Sequence, residues 1–279
     1  MSQKSVAAIH DISGFGRCSL TVALPLLSAM GVKTSVIPTA VLSTHTGGFS
    51  GNTFHDLTAD IEPIAKHWRS EGLNFDAVYT GYLCSPVQIN NTISAINLIS
   101  NSNTLIVVDP VMGDNGNSYS GFLKSFPSYM LRLCQKAHII TPNLTEACML
   151  TGMPYKESGY DKEYIETILL KLHSITKAKV VLTGVSFENK KIGAAIYENG
   201  GISYVFAEKL SKSFHSTGDI FASVLTGAVL SGRSLKASAQ IAVNFLSLCI
   251  KRTIKEKTDA RFGVNFENEI PNLLKYLEL

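Results

Sequence analysis

The sequence has few cysteines, no long apolar run and no marked excess of either charge. Its five cysteines lie far apart and form no C-x-x-C pair, which argues against a disulfide framework or a zinc site and indicates the reducing cytoplasm. No segment approaches the length of a membrane span, and the N-terminus lacks the apolar run of a signal peptide. The formal net charge of +3 is too weak and too dispersed for nucleic-acid binding, so we expect a small ligand.

Two familiar nucleotide-binding signatures are also missing. The G-F-G stretch at residues 14–16 lacks the full G-x-G-x-x-G pattern, and no acidic residue follows a second strand at the expected distance. These absences argue against a dinucleotide-binding fold. No G-x-x-x-x-G-K-[ST] sequence is present, which argues against a Walker-type NTPase.

Short apolar runs alternate with helical patterns along the chain. Runs bounded by Gly, Pro and Asp at intervals of roughly 25 to 35 residues predict buried parallel strands joined by crossover helices. A turn signal, N-G-G at residues 199–201, predicts a hairpin that adds an antiparallel edge. We therefore expect one α/β domain over residues 1–279, with helices on both faces of a mostly parallel sheet. The predicted strands are 6–9, 34–37, 77–80, 105–108, 138–140, 180–182, 191–197 and 202–206, and the predicted helices are 20–30, 86–99, 163–175, 219–230 and 235–250.

The S-T-G-D sequence at residues 216–219 opens an apolar helix with small residues. Free N–H groups and the positive end of the helix dipole at such a start stabilise an anion, for example a phosphate in transfer. Asp219 could accept the proton of a substrate hydroxyl, as phosphoryl transfer requires. The alternative is an ordinary N-capping Asp, which is common at helix starts.

Three further predicted strand ends carry polar residues, which is where ligands sit in open α/β sheets. The segment 109–114 (D-P-V-M-G-D) places two carboxylates where they could hold Mg²⁺ on ATP phosphates, or simply form a solvated turn. The segment 141–146 (T-P-N-L-T-E) could contribute Asn143 and Glu146 to the same site, although Pro142 also suits a plain helix start. Thr183 follows strand 180–182, where a nucleotide phosphate could lie.

A pocket for a small polar ring is predicted beside these groups. Asp11, the S-T-H-T sequence at 43–46 and the T-G-Y sequence at 80–82 follow three other strands and offer hydrogen-bonding groups with an aromatic wall. His45 is the weakest member, because a single His near a turn is more often structural than functional.

Taken in chain order, these motifs resemble the pyridoxal kinase branch of the ribokinase-like superfamily over nearly the whole chain. The family has G-T/A-G-D, D-P-V-M/L-G-D and T-P-N-x-x-E motifs, which correspond to residues 216–219, 109–114 and 141–146, with one departure at position 216. The resemblance implies a three-layer α/β sandwich. It also implies an ATP-dependent kinase that phosphorylates the 5′-hydroxymethyl group of a B6 vitamer, namely pyridoxal, pyridoxamine or pyridoxine. Mg²⁺ with ATP, a K⁺ ion near Asp109 and Thr141, and a homodimer are further family expectations.

The resemblance also implies roles for individual residues. Three positions depart from the family: Ser216 replaces the usual first glycine, Thr44 replaces an Asn, and Asp11 replaces the usual first-strand Ser. A carboxylate at position 11 could favour a protonated pyridine or the amine of pyridoxamine. The implied sets are Asp219 as base with Ser216, Thr217 and Gly218; Asp109, Thr141 and Glu146 for metal ions; Asp114, Asn143, Glu146, Thr183, Thr217 and Gly218 for ATP; and Asp11, His45, Thr46, Tyr82 and Asp219 for the vitamer.

Two other functions remain open on the sequence. A hydroxymethylpyrimidine kinase of thiamine synthesis shares the fold, the D-P-V-M sequence and the catalytic signature, but residues 43–46 and Tyr82 argue against it. A non-catalytic nucleotide- or vitamer-binding protein could use the same scaffold. The joint presence of four residues argues against this alternative: Asp109, Asn143, Glu146 and Asp219.

Overall fold

A nine-stranded sheet forms the centre of the computed structural model, which describes residues 3–212 and 214–278. A separate two-stranded hairpin, β6 with β7, lies outside this sheet. The strands are β1 (Ser5–Phe15), β2 (Lys33–Thr44), β3 (Phe54–Asp56), β4 (Ala77–Thr80), β5 (Leu105–Val108), β6 (Gly113–Asp114), β7 (Asn117–Ser118), β8 (Ile139–Ile140), β9 (Lys179–Glu188), β10 (Lys191–Glu198) and β11 (Gly201–Glu208). The sheet order is β11-β10-β9-β8-β5-β4-β1-β2-β3.

Helices cover both faces of the sheet. The α-helices are α1 (Leu20–Ala29), α2 (Thr58–Ser70), α3 (Pro86–Ile99), α4 (Phe126–Cys134), α5 (Leu144–Thr151), α6 (Lys162–Thr176), α7 (Thr217–Leu230), α8 (Leu235–Lys255) and α9 (Ile270–Leu277). Helices α2 to α6 pack on one face, and α1, α7, α8 and α9 pack on the other. The predicted three-layer α/β class is confirmed.

Alternation along β1 shows why both faces are apolar. Ala7 and Ile9 join the core under α2 to α6, whereas Val6 and Ala8 join the core under α1 and α7, and all four are fully buried. Successive strand residues point to opposite faces, so a strand covered on both sides must be apolar throughout. The pairs from β2 through β1, β4, β5 and β8 to β9 are all parallel, which brings their carboxyl ends to one edge.

The predicted hairpin is present between β10 and β11. Its two-residue turn places Asn199 at φ 52° and Gly200 at φ 80°, the left-handed pair that a type I′ turn requires. The antiparallel region is larger than predicted, because β9 also pairs antiparallel with β10. At the opposite edge β3 pairs antiparallel with β2, and this short exposed strand was not predicted.

The helix after β8 begins later than predicted. Pro142 does not start it, because Asn143 is the N-cap and α5 begins at Leu144. The Asn143 side chain accepts from the Glu146 N–H at 3.0 Å, and the Glu146 carboxylate accepts from the Asn143 N–H at 2.9 Å. This reciprocal capping box fixes the start of the helix. In the described part of the chain, no helix is long and apolar enough to cross a membrane.

Candidate active site

A cleft of about 750 Å³ opens where the parallel strands end and α7 begins. Open α/β sheets bind their ligands at this edge. All of the predicted site residues line the cleft, namely Asp11, His45, Thr46, Tyr82, Asp109, Asp114, Thr141, Asn143, Glu146, Thr183, Ser216, Thr217, Gly218 and Asp219. The structure therefore brings together residues that are up to about two hundred positions apart in the sequence.

Asp219 lies in the first turn of α7, partly open to the cleft. One carboxylate oxygen, Oδ2, accepts the main-chain N–H of Ser19 at 3.0 Å. Burial raises the pKa of Asp219 to about 6; the nearby charge of Asp11 acts in the same direction, and hydrogen bonds from Ser19 and the Cys18 thiol oppose it. A carboxylate with this pKa is well matched to proton transfer near neutral pH.

The helix start itself suits an anion. Ser216, the N-cap of α7, adopts a left-handed conformation at φ 65°, and its side chain caps no N–H group. The first N–H inside the helix with a main-chain partner is that of Ile220, which donates to the Ser216 carbonyl at 3.3 Å. The N–H groups of Thr217, Gly218 and Asp219 precede it and lack intrahelical acceptors, as in every helix first turn. They face the cleft end where the helix dipole is positive.

Asp109 stands beside this helix start, at the end of β5. Its side chain is buried, and Oδ1 accepts the Thr141 hydroxyl at 2.9 Å. Burial, followed by the charge of Asp219, raises the pKa of Asp109 to about 7. Gly218 leaves the second oxygen accessible, since a Cβ at position 218 would stand 3.8 Å from Asp109 Oδ2. Two carboxyl groups, Asp109 beside the helix and Asp219 within it, thus lie at the first turn of α7.

Glu146 fixes the main chain of the site through two hydrogen bonds. Its Oε1 accepts the Met112 N–H at 3.1 Å, while Oε2 accepts the Asn143 N–H. Asn143 in turn donates from Nδ2 to the Gly113 carbonyl at 2.8 Å. Burial, reinforced by the charge of Asp109, raises the pKa of Glu146 well above its usual range. These contacts fasten the segment after β5 to α5, so both oxygens of Glu146 serve the main chain.

Asp114 and Thr183 lie at the same end of the cleft. Asp114 is exposed on the β6–β7 hairpin, whose turn holds Asn115 at φ 50° and Gly116 at φ 77°. Its carboxylate accepts the Asn115 N–H at 2.8 Å. The Thr183 N–H donates to the Pro142 carbonyl at 2.9 Å, which joins β9 to the segment after β8.

Asp11, on β1, lies at the other end of the cleft and is almost fully buried. Its Oδ2 accepts the Ser13 hydroxyl at 3.1 Å, whereas Oδ1 has no protein partner. Burial raises its pKa. Tyr82 forms a wall nearby, tilted against Phe122 with ring centroids 5.9 Å apart. Burial raises the pKa of Tyr82 to about 12, so its hydroxyl is neutral and can donate a hydrogen bond.

His45 uses both ring nitrogens on the main chain. Nδ1 accepts the Gly47 N–H at 3.1 Å, so Nε2 carries the proton and donates to the Arg261 carbonyl at 2.6 Å. Burial lowers the pKa of His45, which keeps the ring neutral. His45 thus holds the pocket wall in place, while the neighbouring Thr46 is exposed at the rim.

Several residues of the cleft were missed by the sequence reasoning. Cys18 and Ser19 form a turn against Asp219, with Ser19 at φ 52° and ψ −125°, a conformation that a serine rarely adopts. No sequence signal marks this turn, because glycine would be the expected residue there. The other missed residues are two lysines, which shortly precede the S-T-G-D motif in the sequence, and an apolar wall of the cleft. They are Lys209, Lys212, Ile192, Ala207, Val243, Leu246 and Ile250.

Comparison with known proteins agrees with this geometry. A family model described as phosphomethylpyrimidine kinase matches residues 24–262. A Bacteroides thetaiotaomicron protein, provisionally named phosphomethylpyrimidine kinase and crystallised with pyridoxal, is 39% identical; its TM-score is 0.91, and 98% of this chain and 96% of that chain are covered. Pyridoxal kinase from Lactobacillus plantarum is 33% identical, with a TM-score of 0.91 and 99% of each chain covered. The hydroxymethylpyrimidine/phosphomethylpyrimidine kinase of Bacillus subtilis is 27% identical, covering 77% of this chain and 78% of that protein.

Proposed function

The chain belongs to the phosphomethylpyrimidine kinase family, and we propose that it is a pyridoxal kinase, which uses ATP to phosphorylate the 5′-hydroxymethyl group of a B6 vitamer. The observation that carries the proposal is the placement of Asp219 at the helix start of α7, inside a cleft that also holds Asp109. The relatives that are named pyridoxal kinase or were crystallised with pyridoxal support a B6 acceptor.

Asp219 acts as the general base. It takes the proton of the hydroxymethyl group, and the oxygen then attacks the γ-phosphorus while the bond to the β–γ bridging oxygen breaks, leaving ADP. The Ser19 N–H holds Oδ2 of Asp219, which leaves Oδ1 for the substrate proton. Main-chain N–H groups of Thr217 and Gly218 stabilise the charge that develops on the transferred phosphoryl group.

The remaining cleft suits Mg²⁺·ATP. Among residues 3–212 and 214–278, no three His, Cys, Asp or Glu side chains cluster to form a metal cage. This fits Mg²⁺, which proteins usually bind through one or two carboxylates together with substrate phosphates. Asp109, supported by Thr141, would hold the ion, which neutralises phosphate charge when bound. A K⁺ ion at Asp109 and Thr141, and a homodimer, stay predictions.

The nucleotide lies at the α8 end of the cleft in this proposal. Lys209 and Lys212 place cationic side chains on the segment that leads into α7, where phosphates would arrive. Val243 and Leu246 of α8 also line the cleft, as does Ile192, and this apolar surface suits a flat base. Asp114, Asn143, Glu146 and Thr183 complete the predicted ATP side.

The experiment that tests the function is ATP turnover with four acceptors in parallel: pyridoxal, pyridoxamine, pyridoxine and hydroxymethylpyrimidine, with Mg²⁺ and K⁺ present. We expect the largest kcat/KM for a B6 vitamer and a phosphorylated product at the 5′ position by mass spectrometry. A larger kcat/KM for the pyrimidine would transfer the chain to thiamine synthesis. Binding of ATP and vitamer without turnover would make it a binding protein.

The pH dependence of the reaction follows from the pKa of Asp219. A general base must be deprotonated, and burial raises this pKa to about 6. We therefore expect log kcat/KM to rise with a slope of one below about pH 6 and to level off above it. The check is initial-rate kinetics from pH 5 to pH 8 at fixed free Mg²⁺. A profile that is flat across this range would contradict the assignment of Asp219 as base.

Replacing Gly218 by Ala should separate folding from activity. A Cβ at position 218 meets no atom closer than 3.8 Å, and Ala is favoured over Gly inside a helix, so the free energy of unfolding should stay equal or rise by up to about 1 kcal/mol. The added methyl group would stand beside Asp109 Oδ2, where the phosphoryl group must pass. We expect kcat/KM for ATP to fall at least about 10-fold, because a misplacement near 1 Å costs that much or more. Urea unfolding and steady-state kinetics on one preparation test both parts, and unchanged kinetics would oppose this placement of the phosphoryl group.

A further inference from the structure

Ser19 has a strained backbone that is bonded on both of its peptide groups. Its φ of 52° and ψ of −125° belong to a region that residues other than glycine rarely adopt, and the residue is buried. Its carbonyl accepts the N–H groups of Val22 and Ala23 at 3.0 and 2.9 Å in the first turn of α1, and its own N–H donates to Asp219 Oδ2 at 3.0 Å. Such a conformation persists only where its surroundings over-determine it. The direction of the Ser19 N–H therefore depends on what fixes the chain just before it.

Arg17, two residues earlier, is fastened to a 3₁₀ turn near the C-terminus, Ala260–Phe262. Its N–H donates to the Phe262 carbonyl at 3.2 Å, and its guanidinium donates to the same carbonyl at 3.4 Å and to Glu267 at 2.6 Å. Gly263, at φ 78°, brings the two main chains together, because a Cβ there would stand 2.8 Å from the Arg17 carbonyl oxygen and 3.2 Å from its nitrogen. The ion pair with Glu267 is partly exposed and contributes little, so the main-chain contact fixes Arg17.

The same turn also touches the pocket wall, which gives it a second way to act. The His45 Nε2–H donates to the Arg261 carbonyl at 2.6 Å. Arg17 and Gly263 are not among the residues of the described chain that line the cleft. Their contact can therefore act on catalysis only through Ser19, which holds the base, or through His45, which holds the wall. The two routes differ in their kinetics, since a displaced base lowers kcat and a displaced wall raises KM for the acceptor.

We propose that the main-chain contact between Arg17 and Gly263 positions the base: it fixes the chain before Ser19, directs the Ser19 N–H to Asp219 Oδ2, and so leaves Oδ1 turned to the acceptor hydroxyl. Arg17 and Gly263 are positioning residues for proton transfer. A base must lie within hydrogen-bond reach of the proton that it takes, so a displaced carboxyl slows the chemical step and leaves substrate binding intact. The kinetic part of this inference rests on the proposed kinase function, whereas the hydrogen bond can be tested without a substrate.

The kinetic test compares Gly263→Ala with Gly31→Ala, using whichever acceptor the wild type phosphorylates. Both glycines have φ 78°, so the added Cβ brings the same local strain, but at Gly31 it meets no atom within 4 Å. We expect Gly263→Ala to lower kcat by about 10- to 100-fold, with KM for ATP and for the acceptor within about twofold. Gly31→Ala displaces nothing near the site and should keep kcat within about twofold. Arg17→Ala, which loses only side-chain contacts, should lower kcat by about two- to fivefold and replaces Gly263→Ala if that variant does not fold.

Amide hydrogen exchange of Ser19, followed by NMR, reports the contact without a substrate. A buried, hydrogen-bonded N–H exchanges slowly, so we expect protection in wild type and in Gly31→Ala. In Gly263→Ala, exchange of Ser19 should be at least about 10-fold faster relative to the core amide of Val107 in β5. Unchanged exchange would overturn the inference, as would a higher KM for the acceptor at constant kcat, which would assign the contact to the His45 wall. If wild type turned over no acceptor, the kinase function would be refuted, and the exchange of Ser19 would still decide whether this contact directs its N–H.

Discussion

Replacing Asp219 by Asn should lower kcat by about 10²- to 10⁴-fold, the usual contribution of a general base, and leave KM for ATP within about twofold. Asn keeps the shape of the side chain and can still accept the Ser19 N–H at Oδ1 or its equivalent, so the turn at residues 18–19 should persist. What is lost is the ability to take a proton. Steady-state kinetics with a saturating vitamer measure the effect.

The same variant tests how the buried Asp219 carboxyl affects the stability of the fold. Burial raises the pKa of Asp219 from 3.8 to about 6, so the folded state holds this proton more tightly than the unfolded chain does. Stability is therefore complete below about pH 4 and falls as pH rises through about 6, where the buried group ionises. Asp219→Asn should unfold at an equal or higher temperature than wild type at pH 7.5. Asp161→Asn, at the N-cap of α6, is the control for the unfolding temperature. In the activity measurement, near-normal turnover of Asp219→Asn would refute the assignment of Asp219 as the base.

Strand ends were the most predictable part of the site. The bounds of β4 (Ala77–Thr80), β5 (Leu105–Val108) and α3 (Pro86–Ile99) agree with those predicted from apolar runs and turn residues. Since parallel strands deliver their carboxyl ends to one edge, correct strands were enough to bring Asp109 and Tyr82 to one cleft. These strands and this helix could be predicted because their burial leaves a local pattern of apolar residues in the sequence.

The rest depended on interactions that a linear pattern does not carry. Helix α2 was missed because only Ile61 and Ala65 are buried, so its apolar face is narrow. The strained backbone of Ser19 is held by tertiary contacts with Asp219, which no local preference reveals. The structural role of His45 follows from the hydrogen bonds that its two ring nitrogens make with the main chain of Gly47 and Arg261, and no sequence pattern indicates these bonds.

The site concentrates carboxyl groups and supplies few cations of its own. Burial raises the pKa of Asp11, Asp109, Glu146 and Asp219, and no ion pair of the described chain involves any of them. Such an arrangement lowers the stability of the free protein and becomes favourable when cations arrive with the ligands. Under the proposed function, a metal ion that arrives with ATP would compensate Asp109.

Glu146 carries the second large expected effect, on folding rather than on proton transfer. Its two oxygens accept the N–H groups of Met112 and Asn143, and both groups lie where water does not replace the lost acceptor easily. Glu146→Ala removes both acceptors and leaves a cavity, so we expect the free energy of unfolding to fall by about 2 to 5 kcal/mol. Glu146→Gln keeps the volume and one acceptor, and should lie between Ala and wild type.

Activity should follow the same order, because the main chain that Glu146 binds is the segment that carries Asp109 and Asp114. Loosening this segment displaces the carboxylate beside the helix start, so kcat should fall by about 10-fold or more even where the variant is fully folded. Urea unfolding with enzyme kinetics at low denaturant separates the two effects. Glu163→Ala, an exposed acid in the first turn of α6, should change stability by less than about 0.5 kcal/mol. If Glu146→Ala were as stable as this control, the capping box would not be what anchors the segment, and the role assigned to Glu146 would pass to the packing of Met112 against the core.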